Sequence, residues 1–361
     1  MKNIPGWRTA RKIVVIECDD WGSIRFPSQE IYNKLSGAGV GVTKGHFRHD
    51  TLESAEDLEA LFHILNSVRD GNGRGAVMSA ITSMANPDFK KIRDSFFREY
   101  YYEKYTDTLL RYGRGEEVLN LWEQGVNSGT FIPELHGREH ISIQFWLKEL
   151  RRGNKHLLLA FDNEVVSVEI PGIKPVLQGF RPEFYFDNEE QVEFLKASIR
   201  DSTFLFENIF GYKSSVFVPA DGIFHPSFDS TIAESAIRYL NVNHFSLSPD
   251  GRGNLKHRLC TSGQKSGNLR YYIRNCAFEP SSENYRGIGL TLKQAAAAFR
   301  WHKPAIISTH RVNFVGGISQ ENRAGSLKEL KGLLSAIVDQ WPDVEFMGSA
   351  EALDIMNETN N

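Results

Sequence analysis

The sequence predicts an α/β chain folded as a distorted (β/α)7-8 barrel, and two observations carry that expectation. Short β-branched runs alternate with longer helical stretches, the pattern of a parallel sheet with helical returns. No Pro/Gly/Ser linker and no internal repeat divides the chain, so a single domain over 1–361 is expected rather than two. At 41% hydrophobic residues a chain of this length can bury a large core.

Strands are predicted at 12–18, 76–84, 130–135, 157–161, 216–219, 239–243, 305–309 and 344–347. Residues 54–68 place Leu58, Leu61, Phe62, Leu65 and Val68 at helical spacing, and a similar amphipathic run extends from Ser326 through Val338. Both should cover the outside of the sheet. Two stretches read as insertions able to wall a cleft: the Tyr-rich segment near 89–114, and the segment near 163–186 with its several Pro and Gly.

Charge excludes one class of partner. The formal net charge is -3, from 42 basic and 45 acidic residues without a long block of one sign, so no nucleic-acid footprint is present. Cys18, Cys260 and Cys276 are far apart and odd in number, giving neither a disulfide framework nor a CxxC pair. The first apolar run is too short for a secretory leader or a membrane span, and a cytoplasmic location is expected.

Four strand ends deliver ionisable groups, and in parallel α/β proteins those ends converge on one mouth. IVVIECDDWGS runs into Asp19 and Asp20, which on an extended chain point to opposite sides, one able to bind a cation while the other takes a proton. TFIPELHGREH supplies His136 and His140, which share a face if the chain turns helically there. Two histidines and a carboxylate are a usual catalytic zinc set with a position open for water. SVFVPADG ends in a turn where backbone N–H groups near Asp221 could meet an oxyanion, and PAIISTH ends in His310.

At these residues the chain resembles the polysaccharide-deacetylase group (NodB-homology, carbohydrate esterase family 4). Its motifs run Asp-Asp-Gly, His-Ser/Thr-x-x-His, Arg-x-Pro-Tyr-Gly, Asp-x-x-Asp-Trp and Leu-x-x-His. The matches, in order, are Asp19-Asp20, the HGREH run from His136 to His140, the VPADG run from Val218 to Gly222, and the ISTH run ending in His310. Trp21 replaces the glycine of the first motif, Gly137 stands for Ser or Thr, and Val218 stands for the arginine that orients the catalytic aspartate. Arg181 in GFRPEF resembles that arginine's motif, and no Asp-x-x-Asp-Trp follows Asn243, which leaves the acidic partner of the last histidine unassigned.

The resemblance implies a barrel of the glycoside hydrolase/deacetylase type that removes acetyl groups from an acetylated sugar or polysaccharide. It implies a divalent metal, zinc first, on Asp20, His136 and His140, with Asp19 as general base and His310 as general acid. Asp221, Arg181 and Trp21 are the candidate substrate or oxyanion contacts. Rival readings are a metal-dependent hydrolase of another amide and a non-catalytic glycan-binding barrel. Each feature also has a plainer explanation: an Asp pair can cap a helix, Asp221 can serve its turn, and His310 can be structural. His46 and His49 in GHFRHD, past the mouth loop of the first strand, could reach the metal or the substrate but read first as surface-loop residues, and His225, His244 and His257 lack a clear partner. Tyr100–Tyr102, Trp122 and Trp146 are read as packing residues before sugar platforms.

Overall fold

The computed structural model describes residues 2–42 and 45–358. Nine parallel strands form one curled sheet: β1 (Lys12–Trp21), β2 (Met78–Ser83), β3 (Phe131–Gly137), β4 (Val216–Phe217), β5 (Tyr239–Asn241), β6 (Leu269–Tyr272), β7 (Cys276–Ala277), β8 (Ala305–His310) and β9 (Val344–Phe346). Their order is β6-β5-β4-β3-β2-β1-β8-β7, with Lys265–Ser266 added antiparallel beside β6. Val14 of β1 pairs with Ala305 on one side and Phe346 on the other. β9 therefore fills the lower half of a flank whose upper half, from Ile16 onward, belongs to β2.

The result is a half-barrel whose seam lies between β6 and β7, at residues 273–275. A side chain supplements the backbone bond from the Asn275 N–H to the Ile306 carbonyl: Asn275 accepts from the Ile306 N–H at 2.8 Å and donates to the Pro304 carbonyl at 2.8 Å. Satisfying buried backbone groups this way keeps the open edge from costing an unmade hydrogen bond.

Alternation along β1 sorts its residues into two layers. Val14, Ile16 and Cys18 pack under the helices, with Leu58, Leu61 and Leu65 of the helix Ala55–Ser67 and Leu330 and Leu334 of Gln320–Gln340. Ile13 and Val15 point into the barrel beside Tyr239, Tyr272 and Ile306. This is the period of two expected of a strand covered on both faces.

Two elements differ from expectation. Residues 157–161 lie in a helix, Lys155–Phe161, because Asn154 caps it by accepting from the His156 and Leu157 N–H groups. The LLLAF run has no β-branched residue, and Leu157, Ala160 and Phe161 fall on one buried helical face. The run from Ser326 begins earlier, at Gln320, where Ser319 caps a polar first turn that hydrophobic spacing does not reveal.

The expected insertions contain local structure of their own. Within 89–114, Tyr102–Lys104 pairs with Ala85–Pro87, and within 163–186, Val168–Glu169 pairs with Gly41–Val42. Phe89, Trp146, Phe161 and Phe180 join Ile24 and Phe26 in a separate hydrophobic cluster. Its segments leave the C-terminal ends of β1, β2 and β3, so it builds up the mouth side of the sheet. Among the described residues no helix is long and apolar enough to cross a membrane.

Candidate active site

Strict alternation would continue the inner row through Glu17 and Asp19, send Asp20 outward and turn Trp21 inward. The backbone departs from it at one residue. Asp20 has a left-handed φ of 75°, and the pairing of β1 with β2 slips between Cys18 and Trp21. Such a conformation costs a non-glycine residue about 1–3 kcal/mol and collects at functional sites. It brings Asp20 to the mouth with Asp19 instead of opposite it, and it rotates Trp21 into the helix-side core. Trp21 is fully buried, edge-on to Phe131 at 4.9 Å and to Trp122 at 5.9 Å. The expectation that Trp21 contacts substrate is therefore corrected: it is a packing residue, as are the buried Trp122 and Trp146.

Asp20 divides its two oxygens. Oδ2 accepts from the Arg25 guanidinium at 3.0 Å, while Oδ1 lies 3.4 Å from His140 Nε2 and 3.7 Å from His136 Nε2. One donor atom from each of the three buried residues falls within 4.8 Å of the others. Ligands about 2.0–2.2 Å from a tetrahedral zinc stand roughly 3.3–3.5 Å apart, so this spacing fits a shared divalent cation. Hydrogen bonding fits as well: His136 Nδ1 meets the Val218 carbonyl at 2.6 Å, and its Nε2 is buried with no hydrogen-bond partner. A lone pair so placed is the second-sphere arrangement of a metal-ligating imidazole. Burial lowers the His140 imidazole to about 4, which keeps it neutral. Burial pushes the Asp20 carboxyl up, but Arg25 and the imidazoles outweigh it and hold it well below the usual range.

The histidines do not share a helical turn. His136 is the penultimate residue of β3, Gly137 ends it at φ 134°, and His140 lies in the loop beyond, with ring centroids 5.0 Å apart at 66°. The same glycine explains one departure from the family motif. A Cβ at Gly137 would stand 2.2 Å from Glu183 Oε2, and Glu183 is buried where it accepts from Ser198 Oγ at 3.0 Å.

Asp19 is held differently. Arg274 grips it with two parallel bonds, Nη1 to Oδ2 at 2.6 Å and Nη2 to Oδ1 at 2.7 Å, while its Nε donates to the buried Glu17. Burial raises the Asp19 carboxyl, and the guanidinium more than reverses it, leaving the group ionised. Arg274 lies in the seam, so its side chain reaches inward to β1 and to Ser308 of β8, 3.2 Å away. His310 Nε2 faces Asp19 Oδ2 at 4.0 Å, and its Nδ1 is bonded to Glu279 at 2.6 Å. Glu279 is fixed in turn by Asn313 at 2.9 Å. Burial lowers the His310 imidazole, but Glu279 foremost, with Asp20 and Asp19, carries it up to about 10.

Arg181 does not stand in for the motif arginine. Its Nε lies 3.6 Å from Asp221 Oδ2 at the rim, and Asp221 itself has a left-handed φ of 54°. Phe47 sits among these groups, its ring centroid 5.4 Å from that of His310, with the Arg25 and Arg181 guanidinium carbons 6.0 and 5.9 Å from it. Of the weaker candidates, His225 bonds Ser227 and His244 bonds the Cys260 carbonyl, both local contacts. Sequence reasoning missed Arg25, Arg274 and Glu279. The signal for two of them was a pair of opposite charges, Arg274 and Glu279, bracketing the run NCAF that contains β7.

No family model and no curated relative matches the sequence. Solved structures do. A Parabacteroides distasonis protein named as a glycoside hydrolase/deacetylase is similar with a TM-score of 0.52 at 9% identity, over 99% of this chain and 74% of that one. A 4-alpha-glucanotransferase from Thermococcus litoralis has a TM-score of 0.45 at 10% identity, and this chain, 97% covered, spans only 40% of its length. A CE4 family pseudoenzyme from Bacillus anthracis has a TM-score of 0.40 at 9% identity, over 98% of this chain and 70% of that one. At these identities the likeness is one of architecture: the chain has the curled parallel barrel of the glycoside hydrolase/deacetylase type.

Proposed function

We propose that this protein is a metal-dependent deacetylase of an acetylated carbohydrate, with zinc the first candidate for its cation. One observation carries the reading: beside the Asp20, His136 and His140 triad, Asp19 is clamped by Arg274 and His310 is bonded through Nδ1 to Glu279, with His310 Nε2 4.0 Å from Asp19 Oδ2. The guanidinium favours a carboxylate able to take a proton and Glu279 an imidazolium able to give one, the pairing of base and acid a hydrolase needs. A bound divalent cation supplies Lewis-acid polarisation of the acyl carbonyl and lowers the pKa of water toward about 7.

The chain's own residues do the rest. Asp19 accepts the proton of the attacking water, and the bidentate Arg274 fixes the direction of its lone pairs. His310 gives its Nε2 proton to the departing amine or alkoxide, while Glu279 on Nδ1 holds the ring and favours the imidazolium. The backbone beside Asp221 is the candidate oxyanion donor, and Arg181 with Phe47 forms the rim a sugar would meet.

The test is metal analysis of the purified protein beside His140→Ala, followed by an acetate-release assay on N- and O-acetylated saccharides. The expected result is about one cation per wild-type chain, none in the variant, and acetate released only by the former. Chito-oligosaccharide binding that ignores chelation, with no product on long incubation, would favour the glycan-binding alternative. Release of acetate or another acid only from non-sugar amides would move the substrate class.

A further inference from the structure

Arg25 belongs to none of the motifs, yet it touches the one carboxylate on which the triad depends. It is 9% exposed, its Nη2 bonds Asp20 Oδ2 at 3.0 Å, and its Nε lies 3.5 Å from Asp50. Asp50 is fully buried and is held on its other oxygen by Arg311 Nε at 3.1 Å. Arg311, also fully buried, donates to the Ser23 carbonyl at 2.9 Å and faces Glu53 at 3.7 Å. Charges alternate along this chain, so Arg25 is held between Asp20 and Asp50, and its loss would leave Asp50 with Arg311 alone.

We infer that Arg25 is a positioning residue that restricts Asp20 to a single donor oxygen and lowers the affinity of the triad for its cation. The inference rests on the metal reading above. With Oδ2 committed to the guanidinium, only Oδ1 faces the two imidazoles. A fixed positive charge on the far side of the same carboxylate also repels a dication and draws electron density from the donor oxygen. Loss of the charge should therefore strengthen metal binding while freeing the second oxygen to occupy a position that water or substrate needs. A merely structural arginine would do the opposite, since its loss would loosen Asp20 and weaken the site.

The experiment compares wild type with Arg25→Met and Arg25→Gln, using cobalt(II) and zinc(II) titrations by chelator competition, cobalt absorption spectra and melting of the metal-free proteins. Both variants are expected to bind cobalt about tenfold or more tightly. In Arg25→Met the visible cobalt bands should weaken, as a higher coordination number dictates, and acetate release should fall. Arg25→Gln keeps a donor for Asp20 without the charge, so it covers the case in which the methionine variant does not fold. Weaker binding in folded variants, or unchanged affinity and spectrum, overturns this inference alone. A wild-type protein that takes up no cobalt or zinc overturns the metal reading and this inference with it.

Discussion

Asp19 and Asp20 are neighbours of identical chemistry, one bond apart on the same strand end, and the structure makes them into different instruments. Asp19 gives both oxygens to one guanidinium and faces His310; Asp20 gives one oxygen to Arg25 and turns the other to two imidazoles. The difference lies in where each arginine comes from. Arg274 sits in the barrel seam and approaches along the sheet, whereas Arg25 comes from the loop just beyond β1. A carboxylate clamped on both oxygens keeps a defined direction for a proton, and one clamped on a single oxygen has the other left to offer a cation.

The largest effect should separate the pair outright. Asp20→Ala is expected to lose metal affinity by about a thousandfold or more, and Asp19→Asn to keep the metal while turnover falls; chelator-competition titrations beside acetate release decide. Equal metal loss in both would erase the distinction drawn here. His310→Ala should likewise keep metal and lose about 10²–10⁴-fold in turnover, with partial recovery when small imidazoles are added to the assay.

Arg274→Met sharpens the contrast at the level of stability. It leaves Glu17 and Asp19 buried without their shared guanidinium, so chemical denaturation should report a loss of about 3–5 kcal/mol. Gly137→Ala meets Glu183 Oε2 and an unfavourable φ together, and a loss of about 1–3 kcal/mol is expected in the same measurement.

The last contrast is a pH slope. His310 is raised in the folded protein, from the ordinary 6.5 to about 10. Its contribution is therefore fully present below pH 6.5 and is lost as pH rises through about 10. Melting of the metal-free protein should decline across that window, and His310→Ala should flatten the decline. A slope unchanged by the substitution would mean that His310 is not the group held protonated.

Much of the fold was legible because strand signals are local. Seven of the eight strand readings fall on parallel strands of the sheet. The eighth, at 157–161, failed because a short apolar run does not distinguish strand from buried helix, and the cap at Asn154 decided it. β6 and β7 escaped notice because Arg270, Arg274 and Asn275 interrupt the apolar residues from Leu269 to Phe278. Of the site, Asp19, Asp20, His136, His140 and His310 could be nominated because each follows an apolar strand. Trp21 misled for the same reason: adjacency to two site acids says nothing about rotation, and a single left-handed residue sends its ring to the opposite layer.

What the sequence by itself determined is the set of residues that parallel strands must carry to one mouth, since strand direction and strand ends can be read from hydrophobic runs. Only the tertiary structure decided which charges would answer them. Arg25 lies five residues from Asp20, but Arg274 is 255 residues from Asp19, and Glu279 is 31 from His310. Contacts over such separations depend on where the barrel's seam falls and how its loops pack, quantities fixed by the whole core and not by any local run.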